Sequence, residues 1–218
     1  MNLDEILMRS VELDQAVMHI LEPTVNQTSD LSKRISASFA ACSISLEHGR
    51  GLRLLIAEGL STSAISLMRL QFEALTRSVW LAYAASDLEV EKLQAPLTAE
   101  TQKAANKLPM QAAMLDAIDG KAPPAATMML KHFKDVTVGA LHSFVHGGIH
   151  PINRQSRGYP APLLINVVRN SNGLLTMSGM MLANLSGNEG VSQGMSRIQP
   201  AFMDCLPELL HTPSGFQH

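Results

Sequence analysis

Three histidines follow one another at intervals of four residues in the segment LHSFVHGGIHP: His142, His146 and His150. Side chains four residues apart lie on one face of an α-helix, so His142 and His146 are predicted to share a face with Asp135. Two imidazoles and a carboxylate can bind a divalent metal ion. The helical zinc signature, however, places a glutamate directly after the first histidine, where this chain has Ser143. We therefore expect no metal here, and either a structural role for the pair or a share in a polar pocket.

The third histidine is predicted to lie outside this helix. Two glycines, in HSFVHGG, supply a stop signal after His146. His150 is followed by Pro151, which disfavours helical geometry in the residue before it. The segment IHPINRQSRGYPAP is accordingly predicted to be a loop. Its Arg154 and Arg157 either bind a phosphate group or are simply solvated.

A second group of ionisable residues lies in the segment SLMRLQFEALTRSVWLAY, where Arg69, Glu73 and Arg77 are each one helical turn apart. The rest of the segment is almost entirely apolar, and a helix that is apolar nearly all round is buried. The charged stripe is therefore predicted to face the protein interior or a cleft. Buried charges need partners. The three residues form an internal ion-pair network, or their surplus positive charge binds an anion such as a phosphate or a carboxylate.

The elements that position these residues are predicted to be α-helices throughout. Aromatic residues make up only 4% of the chain, and no run of alternating β-branched residues occurs. Apolar periodicity predicts one all-α domain, residues 1–218, folded as a bundle of seven or eight helices. Within it, residues 94–124 contain several prolines and are predicted to form one or two short helices in a mobile segment. Residues 212–218 are predicted to be a frayed tail.

Local signals predict several helix boundaries. The first helix is expected to end before Pro23, because the residue before a proline disfavours helical geometry. Ser29 or Asp30 is predicted to cap the second helix, and Asp87 the short fourth helix.

Composition limits the classes of function. The net charge is −2 and no run of like charges occurs, so bulk electrostatics does not predict nucleic-acid binding. Charged residues make up 17% of the chain, below the usual quarter. Part of the surface is therefore predicted to be covered by a second copy of the chain, as a homodimer. The two cysteines, Cys42 and Cys205, are predicted to be buried free thiols.

Neither a signal peptide nor an apolar segment of membrane-spanning length is recognisable, so we expect a cytoplasmic protein without membrane contact. The chain has no GxGxxG after a strand, no GxxxxGK[ST] and no GxSxG sequence. We accordingly expect no cofactor.

The segment SLMRLQFEALTRSVWLAY, combined with the later LHSFVHGG, resembles uncharacterised bacterial all-helical proteins in which an R-x-x-x-E helix precedes a Ser-x-x-His segment. Those proteins are similar to the HEPN group, helical dimers that include RNases, toxins and phage-defence factors. The resemblance implies a HEPN-like bundle with a groove in which Arg69, Glu73 and His146 approach one another. HEPN nucleases carry an arginine four to six residues before the histidine. Here Ala140, Leu141 and His142 occupy those positions.

These observations lead to one functional hypothesis and two alternatives. The hypothesis is a polar cleft of Arg69, Glu73, Arg77, His142 and His146 that binds RNA or an anionic small molecule in a stress or phage-defence setting, with a cognate antitoxin or defence factor as partner. The first alternative is a metal-independent endoribonuclease with Arg69, Glu73 and His146 as catalytic residues. The second is a non-catalytic homo-oligomeric interaction protein.

Overall fold

The computed structural model describes residues 1–25 and 32–208, and these residues form ten α-helices and no β-strand. The all-α prediction is confirmed, whereas the predicted number of seven or eight helices is too low. The HEPN-like assignment stays a prediction. The proposed caps Ser29 and Asp30 and the tail at 212–218 lie outside the described residues. The helices are α1 (Leu3–Val25), α2 (Lys33–Ala57), α3 (Ser61–Tyr83), α4 (Asp87–Gln94), α5 (Ala99–Ala105), α6 (Gln111–Ala117), α7 (Pro124–Val145), α8 (Ile149–Arg157), α9 (Ala161–Ser186) and α10 (Glu189–Ala201), followed by a short 3-10 helix, Met203–Cys205.

Helix α8 forms where the sequence predicts a loop, and this prediction is wrong. His150 lies outside α7 as expected, but it belongs to α8 instead. Gly147 ends α7 with a φ of 64°, and Gly148 then caps α8. Pro151 is the third residue of α8, where a backbone N–H has no acceptor within the helix, so the missing donor costs nothing. The Oγ of Ser143 accepts a hydrogen bond from the N–H of His150 (3.1 Å) and joins the two helices.

Two other predicted boundaries are also corrected. Helix α1 continues through Pro23 to Val25, because a proline in the last turn disturbs few of the hydrogen bonds of the helix. Helix α4 is capped by Ser86 rather than by Asp87. Ser86 and Glu89 form a capping box in which each side chain accepts from the backbone of the other.

The core is organised around α2, α3 and α9, which pack against one another. Large apolar side chains such as Trp80 and Phe72 are fully buried. Polar side chains also cross this core. Ser45 on α2 donates to the carbonyl oxygen of Gln71 on α3 (2.9 Å), and the amide of Gln71 donates to the carbonyl oxygen of Ser171 on α9 (3.0 Å). The remaining long helices add to this centre: α1 and α10 pack against α9, and α7 packs against α3.

The segment predicted to be mobile contains α5 and α6, which differ in burial. None of the residues of α5 is buried. Helix α6 packs against α3 and buries Met114 and Leu115. Two short helices are therefore present as predicted, and the mobility of residues 94–124 stays a prediction. In the described ranges, no helix is both long enough and apolar enough to span a membrane.

Candidate functional site

Arg69 and Glu73 form the ion pair that their spacing predicts. The Nε of Arg69 donates to Oε1 of Glu73 at 2.7 Å, and a second guanidinium nitrogen donates to the carbonyl oxygen of Val138 at 3.5 Å. The side chains are 17% and 35% exposed, so the pair lies at the edge of the core rather than within it. Arg69 therefore links α3 to α7 while its charge is compensated by Glu73.

Arg77 continues the stripe but is exposed, so the stripe does not face the interior along its whole length, and the predicted cleft stays a prediction. Within residues 1–25 and 32–208, Arg77 makes no ion pair with Glu73 or with another carboxylate. The neighbouring Thr76 and Trp80 are buried. The polar stripe therefore runs from the core to the surface, and Arg77 lies on its outer side.

His142 and His146 are exposed at the end of α7, and their rings contact each other with centroids 4.3 Å apart and planes tilted by 53°. His146 is the C-terminal cap of α7, where the negative end of the helix dipole favours a cation. Across the part of the chain that the structure describes, no group of three or more His, Cys, Asp or Glu residues has the arrangement of a metal site.

The three residues predicted to be catalytic are divided between two places. Helices α3 and α7 run antiparallel, since Phe72 contacts Phe133 and Arg69 contacts Val138. His146 lies eight residues beyond Val138, about 12 Å further along α7 at 1.5 Å per residue. No hydrogen bond or ion pair among the described residues joins His146 to Arg69 or its partner carboxylate. The shared pocket stays a prediction, and the observed contacts do not assemble it.

A second group of basic residues is carried by the end of α7 and by the adjoining α8, and the exposed parts of these two elements are called here the α7–α8 surface. It carries the predicted ligand-binding residues His142, Arg154 and Arg157, the predicted catalytic residue His146, and His150, which was not predicted to take part. Arg154 is half-buried and the other four are exposed. No aspartate or glutamate occurs anywhere in residues 136–188. Neither arginine makes an ion pair within the described residues. The surface is therefore basic and has no carboxylate of its own.

Contacts with the rest of the protein hold this surface in place. The ring of Phe144 on α7 lies 6.5 Å from that of Tyr159, just after α8, measured between centroids. The hydroxyl of Tyr159 shares a hydrogen bond of 2.6 Å with the hydroxyl of Thr62 at the start of α3. The connection after α8 is thus fixed to the core helix α3. The long carboxylate-free stretch is a sequence signal that could have indicated this surface.

The α7–α8 surface also exposes apolar side chains. Val145, Ile149 and Ile152 are exposed around the histidines, Ile149 by 75% and Ile152 by 68%. Exposed aliphatic residues clustered beside basic ones are typical of a contact surface.

Sequence reasoning missed the most buried charged side chain among residues 1–25 and 32–208. Arg53 on α2 is only 7% exposed and donates to Oδ2 of Asp14 on α1 (2.9 Å), which also accepts from Arg50 (2.8 Å). Burial lowers the pKa of Arg53, and the nearby Asp14 carboxylate opposes that change. The cluster joins α1 to α2 and is a structural element. The signal available in the sequence was the pair of arginines three residues apart on a largely apolar helix.

Fold and site together define an all-helical protein with a basic, carboxylate-free surface built from two consecutive helices. The chain belongs to a family of unknown function (DUF6988), whose model matches residues 42–208. That range contains every residue predicted to act in catalysis or ligand binding. A search of curated proteins and a search of solved structures find no significant match.

Proposed function

We propose that the protein binds a phosphate-bearing polyanion, with RNA as the first candidate, on the α7–α8 surface. The observation that carries the proposal is the concentration of two arginines and three histidines on two adjoining helices within a stretch that contains no acidic residue. Phosphate oxygens would meet no carboxylate from this stretch.

The chemistry of the side chains supports a phosphate ligand. A guanidinium group donates two parallel hydrogen bonds to a phosphate and keeps its charge at all physiological pH values. Arg154 and Arg157 are one helical turn apart, so they can contact neighbouring phosphates of one chain. The exposed histidines add ring N–H donors. Arg77 lies on α3 two turns beyond Arg69, in the direction away from His146, so it is a candidate contact for an RNA that extends past the α7–α8 surface.

Fluorescence anisotropy with a labelled single-stranded RNA tests this proposal. We expect binding that weakens with salt, and we expect Arg157→Ala to lower the slope of log affinity against log salt by about 0.7, the value for one lost phosphate contact on a single strand. Arg197→Ala is the matched control, because Arg197 is also an exposed arginine on a helix but lies outside the surface. Equal affinities and slopes for the two variants, or no binding at low salt, would refute the proposal.

The same samples test the ribonuclease alternative. In that mechanism His146 acts as general acid and base, and Arg69 stabilises the phosphorane. Arg69 would have to give up its hydrogen bonds to Glu73 and to the Val138 carbonyl in order to contact the substrate. Cleavage of the RNA in the presence of a chelator, lost in both His146→Ala and Arg69→Ala, would favour the enzyme. Intact RNA at saturating protein would favour binding alone.

The exposed isoleucines of α8 favour a second candidate function, self-association through the α7–α8 surface as a homodimer. A stable interface of this kind should bury more than about 2,000 Å² in total. Sedimentation of the native protein and of Ile152→Glu would decide: a dimer that dissociates in the variant supports self-association, and a native monomer at micromolar concentration contradicts it.

The resemblance to HEPN proteins suggests a cytoplasmic stress or defence role with a cognate antitoxin or defence factor, which co-purification from the native host would test.

A further inference from the structure

A groove runs between α9 and residues 125–137 of α7, away from the end of α7 that contacts α8. Both helices pack against α3, which supplies part of the floor through Leu75 and Val79. Two cavities of about 240 and 260 Å³ lie along this groove, and their walls share Met129, Thr176, Met177 and Gln199. The two adjoining cavities are together called here the α7–α9 groove. None of its lining residues belongs to the α7–α8 surface.

The lining of the groove is apolar and nearly uncharged. The first cavity has no charged side chain in its wall, and the second has His132 and Glu208 as its ionisable groups. Six methionines contribute to the walls: Met128, Met129, Met177, Met180, Met181 and Met195. Methionine side chains are flexible and polarisable, and they adapt to ligands of irregular shape. Asn184 and Gln199 supply hydrogen-bonding groups in the first cavity.

We propose that the α7–α9 groove binds a neutral, elongated apolar small molecule, of the chemical class of long-chain alcohols. Each cavity exceeds the roughly 150 Å³ of an apolar cavity that holds benzene. Predominantly apolar walls with a few polar groups are the usual character of a small-molecule site. Charge decides the class of the ligand. A carboxylate or phosphate would find no charged partner in the first cavity and would meet the Glu208 carboxylate beside His132 in the second, whereas a hydroxyl group can pair with Asn184 or Gln199.

Two fluorescent probes that differ in charge test this proposal on the full-length protein. N-phenylnaphthylamine is neutral, and anilinonaphthalene sulfonate adds a negative charge to a similar ring system. We expect the neutral probe to bind at least about tenfold more tightly, a difference of about 1.4 kcal/mol. Decanol should displace it at lower concentration than decanoate does. Equal or tighter binding of the sulfonate, or no binding of the neutral probe, would overturn the proposal.

Substitutions on the two walls locate the bound probe. Thr176→Trp on α9 and Met129→Trp on α7 each place a bulky ring where the cavities meet, and each should weaken binding of the neutral probe by about tenfold or more. Asn166→Trp is the matched control, because Asn166 is exposed on α9 and outside the groove. Thermal melts show which variants remain folded, and the two walls provide independent tests. Unchanged binding in a folded wall variant would place the probe elsewhere and refute the proposal.

The chain itself offers a competing occupant, since Leu209 and Leu210 directly follow Glu208 in the sequence. If that segment filled the groove, the full-length Leu209→Ser/Leu210→Ser variant would bind the neutral probe more tightly than the native protein. The proposal expects the two affinities to be equal. Loss of RNA binding in Arg157→Ala should leave probe binding unchanged, so the two proposals can fail independently.

Discussion

Gly49 is the position at which a single added methyl group should disturb the crossing of three helices. A Cβ at Gly49 on α2 would lie 2.8 Å from Nε2 of Gln71 on α3 and 3.6 Å from Oγ of Ser171 on α9. Gln71 is fully buried, and its amide is held by two hydrogen bonds: Nε2 donates to the carbonyl oxygen of Ser171 (3.0 Å), and Oε1 accepts from Ser171 Oγ (2.7 Å). Gly49→Ala therefore requires Gln71 to move and to break these bonds.

The expected magnitude follows from three contributions. Replacing glycine by alanine within a helix favours folding by about 1 kcal/mol. Overpacking a well-packed core costs about 1–3 kcal/mol. A buried polar group left without its partner costs about 1–3 kcal/mol more. The sum predicts that Gly49→Ala lowers the free energy of unfolding by about 1–5 kcal/mol.

Gly139→Ala provides the matched control, because Gly139 is an exposed position inside α7 where an added Cβ has no atom within 4 Å. That variant should gain about 1 kcal/mol of stability from helix propensity alone. Urea unfolding followed by circular dichroism measures both changes, provided that the slope with denaturant stays constant. A Gly49→Ala protein as stable as the native one would show that Gln71 can move without loss, and would refute the reasoning.

Three further predictions concern charge, ionisation and local opening. Asp14→Ala should lower the free energy of unfolding by about 3–5 kcal/mol, because it leaves the buried Arg53 without its carboxylate partner. Glu73→Ala should lower it by about 1 kcal/mol or less, because the Arg69–Glu73 pair is more exposed. Comparable losses for the two variants in urea titrations would contradict this. Burial raises the pKa of the Cys42 thiol to about 12, so this thiol should resist a disulfide reagent at pH 8 until the protein unfolds. The pKa of this thiol is raised only in the folded state, so the stabilisation that comes from its protonated form is complete below about pH 9 and is lost as the pH rises towards 12. Cys42→Ala should therefore lose less stability than the native protein over that pH range. An equal loss in the two proteins would contradict the raised pKa of Cys42. Amide exchange should be fast throughout α5, which buries no residue, and slow in α6, and equal rates would disprove the distinction.

Interactions between residues three or four positions apart were the part of this protein that sequence could predict. Apolar periodicity indicated the long helices, and the glycines after His146 marked the end of α7. The Arg69–Glu73 ion pair follows from the same local spacing, and the neighbouring rings of His142 and His146 do too. The prediction of a loop at residues 149–157 was wrong because a local signal, a proline, was compatible with both a loop and a helix. Pro151 disfavours helical geometry in the residue before it, yet a proline in the first turn of a helix is compatible with that helix, and α8 forms around it.

Tertiary structure decided which of these local groups meet. The separation of His146 from Arg69 depends on how α7 lies along α3, and this register is set by contacts such as Phe72 with Phe133. The same packing turns Arg77 towards solvent. It also gathers Gly49 and the amide of Gln71 from separate helices into one buried contact. The 3.6-residue repeat of a helix determines which residues share each of its faces. Which helix packs against each face depends on how the whole apolar core fits together, and therefore on all the helices at once.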